Sequence, residues 1–227
     1  MDYSDVQLSE EQLLELVIYE SLYSSINMPS IKIPNTKVGN IISKKDELHI
    51  PCPSSSLAAI ILFPADNDPT FTINDEDLQK RMHYLAREYN VYLQRVYNLS
   101  DAIAITRTIK QFFDIGHMEL AGHGSATTLS WPRQVIRVGK CTDELTILFS
   151  MLQPDAAIMT LSCYNGKSIS GSNILDYFAR IARGHRVIGT STSNGKHLRL
   201  KISSAKPFII EYTDMYGRNV TVTKIYH

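Results

Sequence analysis

From residue 57 onward, short apolar runs alternate with segments of helical periodicity. The continuous apolar runs Ala58–Phe63 and Ala156–Leu161 predict strands that are buried on both faces. Val91–Tyr97, which polar residues interrupt, predicts a strand nearer the edge of a sheet, and Arg186–Thr190 predicts another strand. This alternation predicts an α/β fold, a three-layer α/β/α sandwich with a mostly parallel sheet and right-handed crossovers.

Amphipathic stretches and capping residues predict helices between these strands. The predicted helices cover residues 75–89, 100–113 with Ser100 as the N-cap, 143–152 and 173–183. Around Pro132, the segments Thr127–Trp131 and Gln134–Val138 predict a β-hairpin. A second, C-terminal β-hairpin is predicted from Pro207–Tyr212 and Val220–Tyr226.

The first 53 residues have a different pattern. An amphipathic helix is predicted from Ser9 to Leu22, with Ser9 as its cap and acidic residues in its first turn. Residues 28–53 are rich in proline, serine, asparagine and lysine, and they predict an extended connector. We therefore expect an N-terminal helix and connector over residues 1–53, followed by one main domain over residues 54–227.

Composition excludes several classes of partner. The 23 basic residues balance the 23 acidic ones, which argues against a nucleic-acid partner. The N-terminus is acidic where a signal peptide would be basic, and no apolar run approaches the ~20 residues of a membrane span, so we expect a cytoplasmic protein and no membrane contact. The three cysteines form no even framework and no Cys-x-x-Cys pair, which indicates a reducing compartment and argues against structural zinc. The seven histidines lack metal-ligand spacing. No metal and no organic cofactor is expected.

Two short motifs follow the ends of consecutive predicted strands. The run His117–Gly122 leads to His123 and Gly124, and the run that ends at Leu161 leads to Cys163. Ligands bind beyond the carboxyl ends of strands in open α/β sheets, and the separation of 163 − 123 = 40 residues allows one crossover helix to an adjacent parallel strand. An imidazole beside a thiol activates it for attack on a carbonyl, and the amides of Gly124 and Cys163 are placed to form an oxyanion hole.

The motifs MELAGHGS and AIMTLSCYNG resemble those of the caspase-like cysteine peptidases of clan CD. In that family one apolar block ends in His-Gly and a second ends in a small residue followed by Cys; the resemblance covers roughly residues 57–226. Gly166 follows Cys163 by three positions rather than the two of caspases, so the chain is closer to CHAT-like and bacterial members than to true caspases. The resemblance implies a caspase-like fold, a cysteine endopeptidase with His123 and Cys163 as its dyad, and a protein or peptide substrate.

Charged residues follow the first and fifth predicted strands. Asp66 and Asp68 come after the first strand, and Lys196, His197 and Arg199 come after the fifth. The resemblance implies that these two regions line the pocket for the residue before the scissile bond. The acidic pair favours a basic substrate residue and the basic cluster favours an acidic one; the alternative for all five residues is solvated loop charge.

Other features leave alternatives open. The predicted helix from Ser9 to Leu22 resembles the ubiquitin-interacting motif, although Val17 stands where that motif has alanine; the alternative is a helix packed on its own domain. Ubiquitin binding implies an effector that cleaves ubiquitin or ubiquitin-like conjugates in a host cytosol. The loop Lys167–Ser172 suits an anion site or an ordinary helix cap. The rival functions are a catalytically inactive caspase-like interaction module and an anion- or nucleotide-binding domain.

Overall fold

The computed structural model describes residues 48–65, 76–167, 172–191, 199–203, 209–213 and 218–226. The chain divides into two units, and every described residue falls in the unit Val38–His227. The predicted helix from Ser9 to Leu22 lies outside the described residues, as does most of the predicted connector. The domain boundary at residue 53 stays a prediction.

The described residues form twelve strands and four helices. The strands in chain order are β1 (Leu48–Ile50), β2 (Leu57–Pro64), β3 (Asn90–Val96), β4 (Asp114–Ala121), β5 (His123–Ser125), β6 (Thr128–Trp131), β7 (Gln134–Arg137), β8 (Leu152–Leu161), β9 (Arg186–Thr190), β10 (Arg199–Ser203), β11 (Ile209–Thr213) and β12 (Thr221–Lys224). The helices are α1 (Glu76–Leu85), α2 (Leu99–Lys110), α3 (Thr142–Ser150) and α4 (Ile174–Ile181). β1 falls within the segment predicted to be a connector.

Seven of these strands form the central sheet, in the order β1-β3-β2-β4-β8-β9-β12. The five inner strands run parallel to one another, and the two edge strands, β1 and β12, are antiparallel to their neighbours. β2 lies near the middle, and its residues Ala58–Phe63 are almost entirely buried, as its continuous apolar run requires. The predicted α/β class with a mostly parallel sheet is confirmed.

The crossovers explain where the helices lie. The connection through α1 runs from β2 to β3 in one direction along the sheet, whereas those through α2, α3 and α4 run in the other. Right-handed crossovers therefore place α1 on one face and the other three helices on the opposite face, which is compatible with an α/β/α sandwich. Phe149 of α3 packs edge-on against Phe178 of α4, with 5.7 Å between ring centroids. No helix in the described segments is long and apolar enough to cross a membrane.

The predicted C-terminal hairpin is wrong. β12 does not pair with the segment 207–212; it pairs with β9 and forms an antiparallel edge of the central sheet. β11 pairs instead with β10, a strand that the sequence analysis did not predict. The cause is long-range: β9 would otherwise leave a row of backbone donors and acceptors exposed at the sheet edge, and β12 supplies partners for them.

The N-cap predicted for α2 is also wrong. Asn98, in extended backbone conformation, caps this helix, and its Oδ1 accepts a hydrogen bond from the Asp101 amide at 2.9 Å. Ser100 is instead the second residue of the helix. Two cap-forming residues stand close together here, and the one directly before the first helical residue takes the role. The predicted end of α3 is shifted as well, because Leu152 begins β8.

β4 carries two charged or polar groups inside the core. Glu119 is fully buried, and its carboxylate accepts hydrogen bonds from Arg81 Nε at 2.7 Å and from His117 Nε2 at 3.1 Å. Arg81 reaches this position from α1, and it is 7% exposed. The three side chains form a buried charged cluster between α1 and the central sheet.

Candidate functional site

The register between β4 and β8 fixes the positions of the two predicted catalytic residues. The strands are parallel neighbours, and their last paired positions are Ala121 and Leu161. One further backbone bond, from the Gly122 amide to the Leu161 carbonyl oxygen at 3.3 Å, continues this pairing. His123 and Cys163 each follow the last pair by two residues. The register therefore brings both residues just beyond the carboxyl ends of two adjacent parallel strands.

At Gly122 the chain passes from the central sheet into a small second sheet, β5-β6-β7. A Cβ at position 122 would lie 2.7 Å from the Ser130 carbonyl oxygen, which leaves room only for glycine. The indole of Trp131 anchors the junction, because its Nε1 donates to the Ala121 carbonyl oxygen at 2.7 Å. The predicted hairpin around Pro132 is confirmed as β6 and β7.

His123 is the first residue of β5, in the small second sheet, and does not lie on β4. It pairs with Ser130 of β6, and its side chain is exposed. Gly124 follows, and a Cβ there would lie 2.6 Å from the Thr128 carbonyl oxygen and 2.8 Å from Ser162 Oγ. The backbone of β5 therefore rests directly on Ser162, the residue before Cys163. This contact joins the histidine segment to the cysteine segment.

The turn that carries Cys163 is held by the buried side chain of Asn165. Its Nδ2 donates to the Ser162 carbonyl oxygen at 2.7 Å, and its Oδ1 accepts from the Thr190 amide at 2.8 Å. One side chain thus ties the cysteine turn to the ends of both β8 and β9. Gly189 makes this possible, since a Cβ there would lie within 3 Å of the Asn165 amide group.

We expect Asn165→Ala to lower the free energy of unfolding by about 2–3 kcal/mol, because it removes the acceptor of a buried amide and a donor to a buried carbonyl. Urea unfolding measures this change. The reactivity of Cys163 toward a thiol reagent should change as well, since the turn loses its anchor.

Asn219→Ala is the matched control for this prediction. Asn219 also accepts a backbone bond through Oδ1, from the Thr221 amide at 2.9 Å, but it is exposed, and we expect a change within about 0.5 kcal/mol. Equal losses in the two variants would contradict the anchoring role of Asn165.

The backbone around Cys163 has two features relevant to chemistry. None of the described residues accepts a hydrogen bond from the Cys163 amide. Tyr164 has a left-handed backbone with φ of 55°, its ring is exposed, and Lys167 Nζ lies 5.2 Å from the ring centroid. The turn thus presents a backbone N–H and a half-buried thiol next to each other at the sheet edge.

The three thiols differ in their surroundings, and none forms a disulfide. Cys52 is buried, whereas Cys141 and Cys163 are half-buried. Burial raises the pKa of the Cys141 thiol, and the charge of Glu144 raises it further, which disfavours a thiolate at that position. Cys141 is therefore a suitable comparison for Cys163, with similar exposure and no histidine segment on a neighbouring strand.

The residues predicted to bind substrate lie outside the described part of the chain. These are Asp66, Asp68, Lys196 and His197. Arg199 is the first residue of β10. Most of the loop Lys167–Ser172 lies outside the described residues. Within the described segments, no group of three or more His, Cys, Asp or Glu side chains is arranged to hold a metal ion.

Sequence reasoning found the two motifs but missed Asn165. The available signal was a polar residue with strong turn preference between a cysteine and a glycine, directly after an apolar strand. No protein-family model matches the sequence, and no curated protein matches it either. The assignment of a function therefore rests on the geometry at the ends of β4 and β8.

Proposed function

We propose that this chain is a caspase-like cysteine peptidase, closer to CHAT-like and bacterial members than to caspases, with Cys163 as nucleophile and His123 as general base. One observation carries the proposal. His123 and Cys163 each stand two residues beyond the paired residues Ala121 and Leu161, which end the adjacent parallel strands β4 and β8. Side chains at the carboxyl ends of such strands are the ones that meet a substrate.

Two contacts support the proposal beyond the register. The backbone of Gly124 rests on Ser162, so the histidine and cysteine segments pack on each other. Asn165 holds the cysteine turn on β8 and β9, which limits the freedom of the nucleophile. Nucleophilic acyl transfer requires a thiol held next to an imidazole, and the proposal assigns these two roles to Cys163 and His123.

The proposed reaction has two halves. His123 takes the proton of the Cys163 thiol, the sulfur bonds to the carbonyl carbon, and the resulting oxyanion accepts hydrogen bonds from the Cys163 and Gly124 amides. The carbon–nitrogen bond then breaks as His123 gives the proton to the leaving amine. A water molecule, which loses a proton to His123, attacks the thioester; the acid product leaves, and the proton returns to sulfur. No redox partner or cofactor is needed for this balance.

The experiment is covalent labelling with peptides that carry a thiol-reactive electrophile, followed by intact-mass and peptide analysis. We expect one label per chain, on Cys163, and loss of labelling in Cys163→Ala. Cys141→Ser is the matched control and should be labelled as fast as the parent chain, because Cys141 has comparable exposure but a raised pKa.

Probes that differ in the residue next to the electrophile decide the substrate class. A preference for arginine or lysine supports the pocket with Asp66 and Asp68, and a preference for aspartate or glutamate supports the one with Lys196 and His197. Labelling that falls on Cys52 or Cys141, or that is insensitive to the peptide, would overturn the proposal. That outcome would favour the inactive interaction module.

A further inference from the structure

Near the amino ends of its strands, away from Cys163, the central sheet contains an irregularity next to a cavity. β4 pairs with β8 through Ile115 and Leu152 and next through His117 and Ala157. The single residue Gly116 thus stands opposite residues 153–156 of β8. On its other side, no residue of β2 pairs with Gly116, because Ala58 pairs with Ile115 and Ala59 with His117. A bulge of this kind bends the strand away from its neighbour, and such bulges are typical of ligand sites.

The bulge borders a cavity of about 90 Å³, several times the ~10–15 Å³ that one water molecule needs. Charged and polar side chains line this cavity. They come from the first residues of β4, β8 and β9 and from the residue that precedes β3. The ones that matter for binding are Tyr89, His117, Gln153, Asp155 and Arg186. Asp155 is exposed, whereas Arg186 and Tyr89 are half-buried.

His117 gives this cavity a fixed polar wall. It is 2% exposed, and its Nε2 is within 3.1 Å of Glu119 Oε1, which Arg81 holds in turn. Because Nε2 faces the carboxylate, Nδ1 is the ring nitrogen of His117 that remains for another partner. The charged cluster under α1 thereby determines which atom of His117 is left for a ligand.

The cavity combines donors and acceptors of opposite charge. Arg186 supplies a guanidinium, and Tyr89 supplies a hydroxyl. Burial raises the pKa of Tyr89, with the charges of Glu88 and Asp155 adding to it, so the hydroxyl keeps its proton and donates near neutral pH. Asp155 supplies a carboxylate, which accepts hydrogen bonds. The carboxylate of Asp155 would repel a purely anionic ligand, and the guanidinium of Arg186 would repel a purely cationic one.

We propose that this cavity binds a small zwitterionic α-amino acid, with its carboxylate on Arg186 and Tyr89 and its ammonium on Asp155. The ligand's two charges match the two kinds of lining group. The site lies at the amino ends of the strands, at the other edge from Cys163, and its occupancy does not depend on peptidase activity.

Titration of the whole chain with glycine and alanine, followed by protein-observed NMR and calorimetry, tests this site. We expect saturable binding, at least about tenfold weaker for N-acetylglycine, which lacks the ammonium, and for glycinamide, which lacks the carboxylate. Inorganic phosphate is the probe for a site that accepts any anion, and it should bind at least about tenfold more weakly than glycine.

The variants Arg186→Gln and Asp155→Asn should each weaken glycine binding about tenfold or more. Tyr89→Phe keeps the ring that packs on Gly116 and removes only the hydroxyl, so it serves where an Arg186 variant is unstable. Arg137→Gln, an exposed arginine on β7, is the matched control and should bind as the parent chain does. Absence of saturable binding by either amino acid would overturn the proposal, as would N-acetylglycine or phosphate binding as tightly as glycine.

Discussion

Cys163→Ala and His123→Ala are each expected to lower kcat/KM for peptide hydrolysis by about a thousandfold or more. The first variant removes the nucleophile, and the second removes the group that takes the thiol proton and returns it to the leaving amine. His123 is exposed and stands outside the core strands, so its replacement should leave the free energy of unfolding within about 0.5 kcal/mol of the parent value. The peptide for this assay is the one preferred in the labelling experiment.

The double variant separates a dyad from two independent contributions. Residues that act as one unit give losses that do not add, so Cys163→Ala with His123→Ala should hydrolyse the peptide no more slowly than the slower single variant. Ser125→Ala is the matched control on β5, since Ser125 is exposed two residues beyond His123 and should retain parental activity. A double variant whose loss is as large as the product of the two single losses would argue against a shared step, and an unaffected His123→Ala would remove the general base from the proposal.

Strands buried on both faces were predictable because their sequences admit little else. β2 and β9 match their predicted spans within one residue at each end, since a continuous apolar run without helical spacing suits a buried parallel strand. The hairpin of β6 and β7 was predictable from its turn chemistry. In these cases the pattern that determines the structure is local.

Edge pairing was not predictable, because it depends on partners far apart in the chain. β12 has an amphipathic strand pattern that suits a hairpin as well as an edge of the central sheet. What decides is the unsatisfied edge of β9, which exists only after the sheet has formed. The same reasoning applies to β1, a three-residue strand in a segment without periodicity.

The candidate site likewise contains features that the sequence predicted and features that depend on distant partners. The motifs placed His123 and Cys163 at strand ends, and the register of β4 and β8 agrees with that placement. Asn165 acts across β8 and β9, and the bulge at Gly116 depends on how β4 pairs with both of its neighbours. Neither can be derived from the residues that precede and follow it, because each takes its role from a second strand.

Glu119→Gln is expected to lower the free energy of unfolding by about 3–5 kcal/mol near neutral pH. The fully buried carboxylate is the counter-charge of Arg81, which is itself 7% exposed, so glutamine leaves a cation in the core without compensation. Urea unfolding measures the loss. Asp114→Asn is the matched control, because Asp114 is an exposed carboxylate on the same strand and its replacement should change the unfolding free energy by no more than about 0.5 kcal/mol.

The pH dependence of this loss identifies its electrostatic origin. Burial by itself raises the pKa of Glu119, but the charge of Arg81 and the contacts with His117 outweigh burial and hold the pKa below its ordinary value of 4.5. The unfolded chain therefore takes up this proton at higher pH than the folded chain does, and the stability that Glu119 contributes is complete above 4.5 and declines as the pH falls toward the depressed folded value. Glu119→Gln lacks this titration, so the difference in unfolding free energy between the two proteins should narrow as the pH is lowered below 4.5. A difference that stays constant with pH would mean that glutamine disturbs packing and that the ion pair with Arg81 contributes nothing.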